Sequence, residues 1–174
     1  MGEYGTDDRI ETPRIENGAW VAPGAVVVGR VVLRRGASVW YNCVLRSDMA
    51  GAAIEVGEDS NIQDGTIVHV DENSPCRIGA HVTVGHGAVL HACEIEDEAL
   101  IAMGATVLSG ARIGRGSIVA AGAVVPEGML VPPGVIVAGV PAKVRRETTA
   151  DDRARLTHGW KAYAALRDLH KPGP

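Results

Sequence analysis

The sequence predicts a parallel β-helix, a solenoid of short strands, closed by one C-terminal α-helix. Three observations carry that prediction. An aliphatic residue recurs every six positions over most of the chain. A small or compact residue follows most of those aliphatics four positions later, as Ala19, Ala25, Ala37, Cys43, Ser60, Thr66, Ala88, Ala99, Ala105, Ala111, Ser117 and Ala123 do. The third is compositional: there is no Phe, aromatics make up 3% of the chain, and Gly occurs 22 times. A core of Val, Ile and Ala with no large ring is a narrow one.

The repeat runs through Ile15, Val21, Val27, Leu33, Val39 and Leu45. It resumes at Val56, Ile62 and Val68, and again at Ile78, Val84 and Leu90. One step of five leads to Ile95, and the six-residue step then continues through Ile101, Val107, Ile113, Val119, Val125, Val131 and Val137. Each unit is a short strand and a corner, and three units make one triangular coil, so these twenty units correspond to roughly seven coils. Glycine often follows the aliphatic directly, as in IGAHVT, VGHGAV and IGRGSI. Its freedom of φ is the expected reason. Residues 1–14 are expected to form an N-terminal arm, 15–142 the β-helix, and 143–174 a linker and helix.

Two stretches break the period, RSDMAGAAIE (46–55) and VDENSPCR (70–77), and are expected to be loops at corners. Prolines in AGVPAKVRRE end the solenoid after Val137. Thr149 and Asp152 have the spacing of a capping box. Leu156, Trp160, Tyr163, Leu166 and Leu169 follow at helical spacing, which predicts a helix laid along the solenoid.

Composition excludes several classes. The net charge is −4 with a pI near 5.8 and no basic run, which argues against nucleic acid or an anionic membrane as partner. No apolar stretch reaches the roughly 18 residues of a membrane span, and MGEYGTDD does not read as a signal peptide. Cys43, Cys76 and Cys93 are odd in number and lack CxxC spacing, so reduced thiols and a cytoplasmic location are expected.

The chemistry lies in the histidines. His86 and His91 are five apart, which suits a shared face neither of a helix nor of one strand. Coil stacking resolves this. Units three apart lie about 4.8 Å above one another, so Arg46, His69 and His91 form one vertical column. Two imidazoles on adjacent coils suit one metal ion at about 2.0–2.1 Å from each nitrogen. His86 falls in another column, above Asp64 and Tyr41. It is better placed to complete the same kind of site on a neighbouring subunit, and a closed three-fold ring follows from such sharing. His81, His158 and His170 are expected to be solvated. Cys43 and Cys93 are expected to fill small inward positions.

The periodicity resembles that of hexapeptide-repeat proteins, which implies a left-handed parallel β-helix. The trio RSD (46–48), NIQDGTIVH (61–69) and GHGAVLH (85–91) resembles the gamma-class carbonic anhydrases over about residues 10–170. That resemblance implies zinc, with iron or cobalt as alternatives, held by His69, His86 and His91 in a homotrimer, His86 being supplied in trans. It implies that Gln63 hydrogen-bonds the reacting hydroxide or bicarbonate. Arg46, Asp48 and Asp64 would form the polar shell, with Tyr163 reaching toward the metal. The family's acidic residue after RSD is here Met49, and Glu72 is the one nearby carboxylate that could carry protons. Three neutral imidazoles leave the ion an open position and a water with a pKa of about 7, fit to attack CO2. Three alternatives remain on this fold: a coenzyme-A-dependent acyltransferase using one histidine as base, a metal-dependent thioesterase, and a non-catalytic or weakly active scaffold.

Overall fold

The computed structural model describes residues 11–171. Its strands, most of them two or three residues long, fall into three sheets, and within each sheet every third strand in sequence pairs in parallel. The result is a parallel β-solenoid of about seven turns. The register is the one the repeat dictates: Leu45 lies opposite Val68, and Val68 opposite Leu90.

The aliphatic positions from Leu33 to Val137 are all buried, and so are the small residues between them from Ala37 to Ala123. Ile15, on the edge strand of its sheet, is half exposed. The narrow triangle leaves no room for rings, and the aromatics among the described residues lie outside it. Trp20 and Trp40 form a separate cluster with Tyr41 and Tyr163. Cys43 and Cys93 do fill buried inward positions, and all three thiols are free.

The glycine after the aliphatic serves a different purpose from the one expected. Its φ is ordinary, but a Cβ at Gly57 would stand 2.3 Å from the Gly79 carbonyl carbon, and one at Gly85 2.7 Å from the Met103 nitrogen. Close coil-to-coil approach excludes a side chain there. The left-handed turn falls two residues later, at Gly87 (φ 66°), with Asp59 and His81 filling equivalent corners. In the shortened unit Ala92 takes this role, at φ 44°.

Both loops are shorter than the broken period suggested. Arg46 and Ser47 continue the strand Val44–Ser47, and Cys76 and Arg77 belong to Cys76–Ile78. The ladder runs one residue past the usual corner here, pairing Arg46 with His69. The remaining loops stack on each other, with the Asn73 N–H donating to the Ala50 carbonyl at 3.0 Å.

The expected linker contains a strand, Lys143–Glu147, which turns back antiparallel on Val135–Ala138. The sheet's last coil offers an open row of backbone groups, and the returning chain pairs with it. The helix Ala150–His170 starts at the capping box, with both Thr149–Asp152 bonds formed. It packs on the strands Ser38–Val39, Asn61–Ile62 and Thr83–Val84.

The packed stripe differs from the expected one. Leu156 is buried, but Leu166 and Leu169 are 40% and 80% exposed, and Arg167 is buried instead. At 3.6 residues per turn, positions 156, 160, 163, 167 and 170 share a face, and 166 and 169 fall off it. Arg167 is held by Asp59 at 3.2 Å and by the Gly36 carbonyl. His81 and His170 are also not simply solvated. His81 stacks on Trp160 with centroids 4.2 Å apart, and His170 Nδ1 lies 2.8 Å from the Tyr41 hydroxyl. No helix among the described residues is long and apolar enough to cross a membrane.

Overpacking the triangle is expected to cost about 1–3 kcal/mol. Ala105→Phe and Ala123→Phe should each lower the denaturant midpoint accordingly, and wild-type unfolding of both would show that these positions do not face inward. Thr149→Ala, which removes the helix cap, should cost about 1 kcal/mol in the same measurement.

Candidate metal centre

The extended ladder at one corner carries the candidate metal donors. Arg46 pairs with His69 and His69 with His91, on the strands Val44–Ser47, Ile67–His69 and Val89–His91. Parallel pairing holds the two histidine backbones one coil apart and leaves the rings side by side. Their centroids are 5.2 Å apart, and His69 Nδ1 lies 3.2 Å from His91 Nε2. Two donors of a tetrahedral zinc ion, at 2.0–2.1 Å each, stand roughly 3.3–3.4 Å apart. The pair therefore fits two positions of such an ion.

His86 stands in the neighbouring column, as the spacing of five requires. The Gly87 N–H donates to the Asp64 carbonyl, and the Gly65 N–H to that of Tyr41, which sets the stack Tyr41, Asp64, His86. His86 Nδ1 is 2.9 Å from Asp64 Oδ2, and its Nε2 is 3.4 Å from the Tyr163 hydroxyl. No cluster of three potential metal donors forms within this one chain among the described residues. The structure thus brings His69 and His91 together and leaves His86 apart from them, on the surface.

Around the histidines the polar groups are ordered. Asp48 Oδ1 lies 3.0 Å from His69 Nε2, and Asp48 also pairs with Arg46. Burial opposes ionisation of Asp48, but His69 and Arg46 outweigh it and hold its carboxyl below the usual range. Gln63 is buried, and its Nε2 donates to Asn61 Oδ1 at 3.0 Å. Asn61 in turn donates to Thr83 Oγ1 at 3.1 Å. Burial, then the Asp64 charge, pushes the Tyr163 phenol up, so it keeps its proton at neutral pH.

Glu72 is exposed in the loop after His69, with no bond to either histidine among those described. Met49 is partly buried against the solenoid core. Two residues with a clear place here escaped the sequence reading. Asn61 sits two residues before Gln63 on the same strand edge, a proximity that period-two alternation could have flagged. Ser109 lies 2.8 Å from His91 Nδ1. It is one position beyond the residue that the column places over His91, so the column alone does not reveal it.

Comparison with known proteins places the chain among hexapeptide-repeat proteins. A family model described as "Bacterial transferase hexapeptide (six repeats)" matches residues 92–127. Gamma carbonic anhydrase 3, mitochondrial, of Arabidopsis thaliana is 50% identical over 166 residues, covering 92% of this chain and 64% of its own length. Over the three Arabidopsis gamma carbonic anhydrases the chain spans only 59–64% of their lengths. A protein of Methanocaldococcus jannaschii named "Probable carbonic anhydrase" is 49% identical over 148 residues, 85% of this chain and 92% of that one. Among solved structures, a hexapeptide transferase family protein from Anaplasma phagocytophilum superposes with a TM-score of 0.87 at 38% identity, covering 91% of this chain and 93% of that one. With relatives 42–49% identical that it covers to 87–92% of their length, the chain belongs to the gamma carbonic anhydrase family.

Proposed function

We propose that this protein is a zinc-dependent carbonic anhydrase that works as a homotrimer, with each metal held between two subunits. One observation carries the reading. His69 and His91 converge at the separation two zinc donors need, while His86 stands exposed and apart from them, anchored by Asp64 at Nδ1. His69 and His91 of one subunit and His86 of the next would hold the ion. Bound there, zinc supplies a water acidified to about neutral pH and an open position for the substrate.

The chain's own groups orient the reactants. Asp48 and Asp64 each occupy one nitrogen of a histidine, which fixes ring orientation. Gln63, tied down by Asn61, presents a rigid amide to an oxygen of bicarbonate. Arg46 is exposed at the foot of the same column, where its guanidinium would attract the bicarbonate anion. Tyr163 keeps its proton and stands 3.4 Å from His86 Nε2, so in the shared site its hydroxyl would lie next to the ion. Met49 cannot ionise, which leaves Glu72 in its exposed loop as the carboxylate available to pass protons to solvent. The buried free thiols support a reducing compartment such as the cytoplasm.

A Bacillus cereus neighbour described as a "putative acetyltransferase", 35% identical with a TM-score of 0.88, supports acyl transfer as a second reading. Acyl transfer needs a single histidine base, so the two readings separate on metal dependence.

Zinc should bind at one ion per chain, and only in the oligomer. His69→Ala and His86→Ala should each abolish binding. Chains of the two variants, dissociated and reassembled together, should regain roughly a quarter of the sites, because one pairing in four restores a full donor set in a closed ring. Mixed oligomers that recover no zinc would sink the shared-site assignment.

Carbon dioxide hydration followed by stopped flow should be zinc-dependent and limited by proton export. Added imidazole buffer should raise kcat and leave kcat/KM nearly unchanged, because the assisted step follows attack on CO2. If zinc-loaded protein is inactive on CO2 in every buffer yet cleaves a thioester in a His91-dependent way, the hydrolase alternative replaces this one.

A further inference from the structure

Each of the three histidines has one nitrogen held by an oxygen from outside its own strand. Asp48 holds His69 and Asp64 holds His86. The partner of His91 is not a carboxylate but the Ser109 hydroxyl, 2.8 Å from Nδ1. We propose that Ser109 is a positioning residue that accepts the His91 Nδ1–H and so keeps the Nε2 lone pair aimed at the metal position. This inference rests on the zinc reading above.

The argument starts from the count of hydrogens. A neutral imidazole carries one N–H, on either nitrogen. His91 Nε2 faces His69 Nδ1 at 3.2 Å, and a cation between them needs a lone pair from each. The single hydrogen of His91 must then reside on Nδ1, where Ser109 Oγ receives it. Without an acceptor at that point the hydrogen is free to move to Nε2, and the donor atom is lost to the metal.

The hydroxyl is also well held. Ser109 occupies the corner directly above the residue that follows His91. The Gly110 N–H donates to the Ala92 carbonyl at 2.8 Å, the Leu108 N–H to Val125 at 3.1 Å, and the Gly128 N–H to the Ser109 carbonyl at 2.9 Å. Backbone bonds therefore tie this corner to the coils below and above. The shortened unit contributes: the five-residue step places Ala92 in a left-handed turn at φ 44°, and the chain leaves His91 beneath the Ser109 corner. A hydroxyl orients the ring without adding negative charge, unlike Asp48 and Asp64.

The test uses Ser109→Ala and Ser109→Thr in the purified assembled protein. Zinc affinity is measured by competition with a chelator, and the His91 tautomer by nitrogen-15 NMR of the metal-free form. Ser109→Ala should weaken zinc binding about 10–100-fold, the range typical of an outer hydrogen-bond partner of a ligating histidine. It should also show an Nε2–H tautomer of His91 that wild type lacks. Ser109→Thr, which keeps the hydroxyl, should restore both readouts. A merely structural role would shift the melting of the metal-free protein and leave tautomer and affinity together unchanged. Wild-type affinity and tautomer in Ser109→Ala overturn the proposal, as does failure of Ser109→Thr to rescue while melting like wild type. A wild-type protein with no zinc affinity overturns the zinc reading itself, and this inference with it.

Discussion

Backbone hydrogen bonding between coils is the constraint on which everything else in this molecule depends. Each short strand is too brief to be stable alone, and its N–H and C=O groups are satisfied only by the coils above and below. That vertical bonding forces equivalent residues of successive coils to stand about 4.8 Å apart. The core is then a stack of Val, Leu and Ile on Val, Leu and Ile, and no ring fits. The same stacking brings His69 and His91 into contact distance with no special loop to carry them. Fold and site thus have one cause.

Departures from the regular repeat gather at the candidate metal centre. The strand ladder overruns its corner at Arg46, His69 and His91, both loops insert immediately after it, and the one five-residue step follows His91. A regular coil would turn away before the residue directly after the inward aliphatic could pair. Extending the ladder by one residue projects side chains at the corner, where a neighbouring subunit could meet them. Ala92 accepts a left-handed conformation unusual for a residue with a Cβ, a local strain that the surrounding hydrogen bonds hold in place.

The helix shows how polar anchoring can override an apolar pattern. Leucines at helical spacing suggested an apolar stripe ending in Leu166 and Leu169, yet the chain packs through Arg167 and His170. Arg167 meets Asp59 and a backbone carbonyl, and the His170 ring sits among Trp20, Trp40 and Tyr41. Hydropathy alone undervalues such residues, because a buried Arg stem and one face of an imidazole can pack on neighbours while their polar atoms find specific partners.

The sequence by itself determined the solenoid, its register, the stacking of His69 on His91 and the separation of His86. All four follow from a six-residue period and a fixed coil rise, which are local and additive along the chain. The capping box was legible for the same reason, being a three-residue local motif. Tertiary structure alone decided which helix face packs, that the linker returns as the strand Lys143–Glu147, and why glycine follows the aliphatic. It alone placed Ser109 on His91 and Asn61 on Gln63. These depend on distances between side chains at corners and on open backbone groups at the last coil, and neither quantity is encoded in the period.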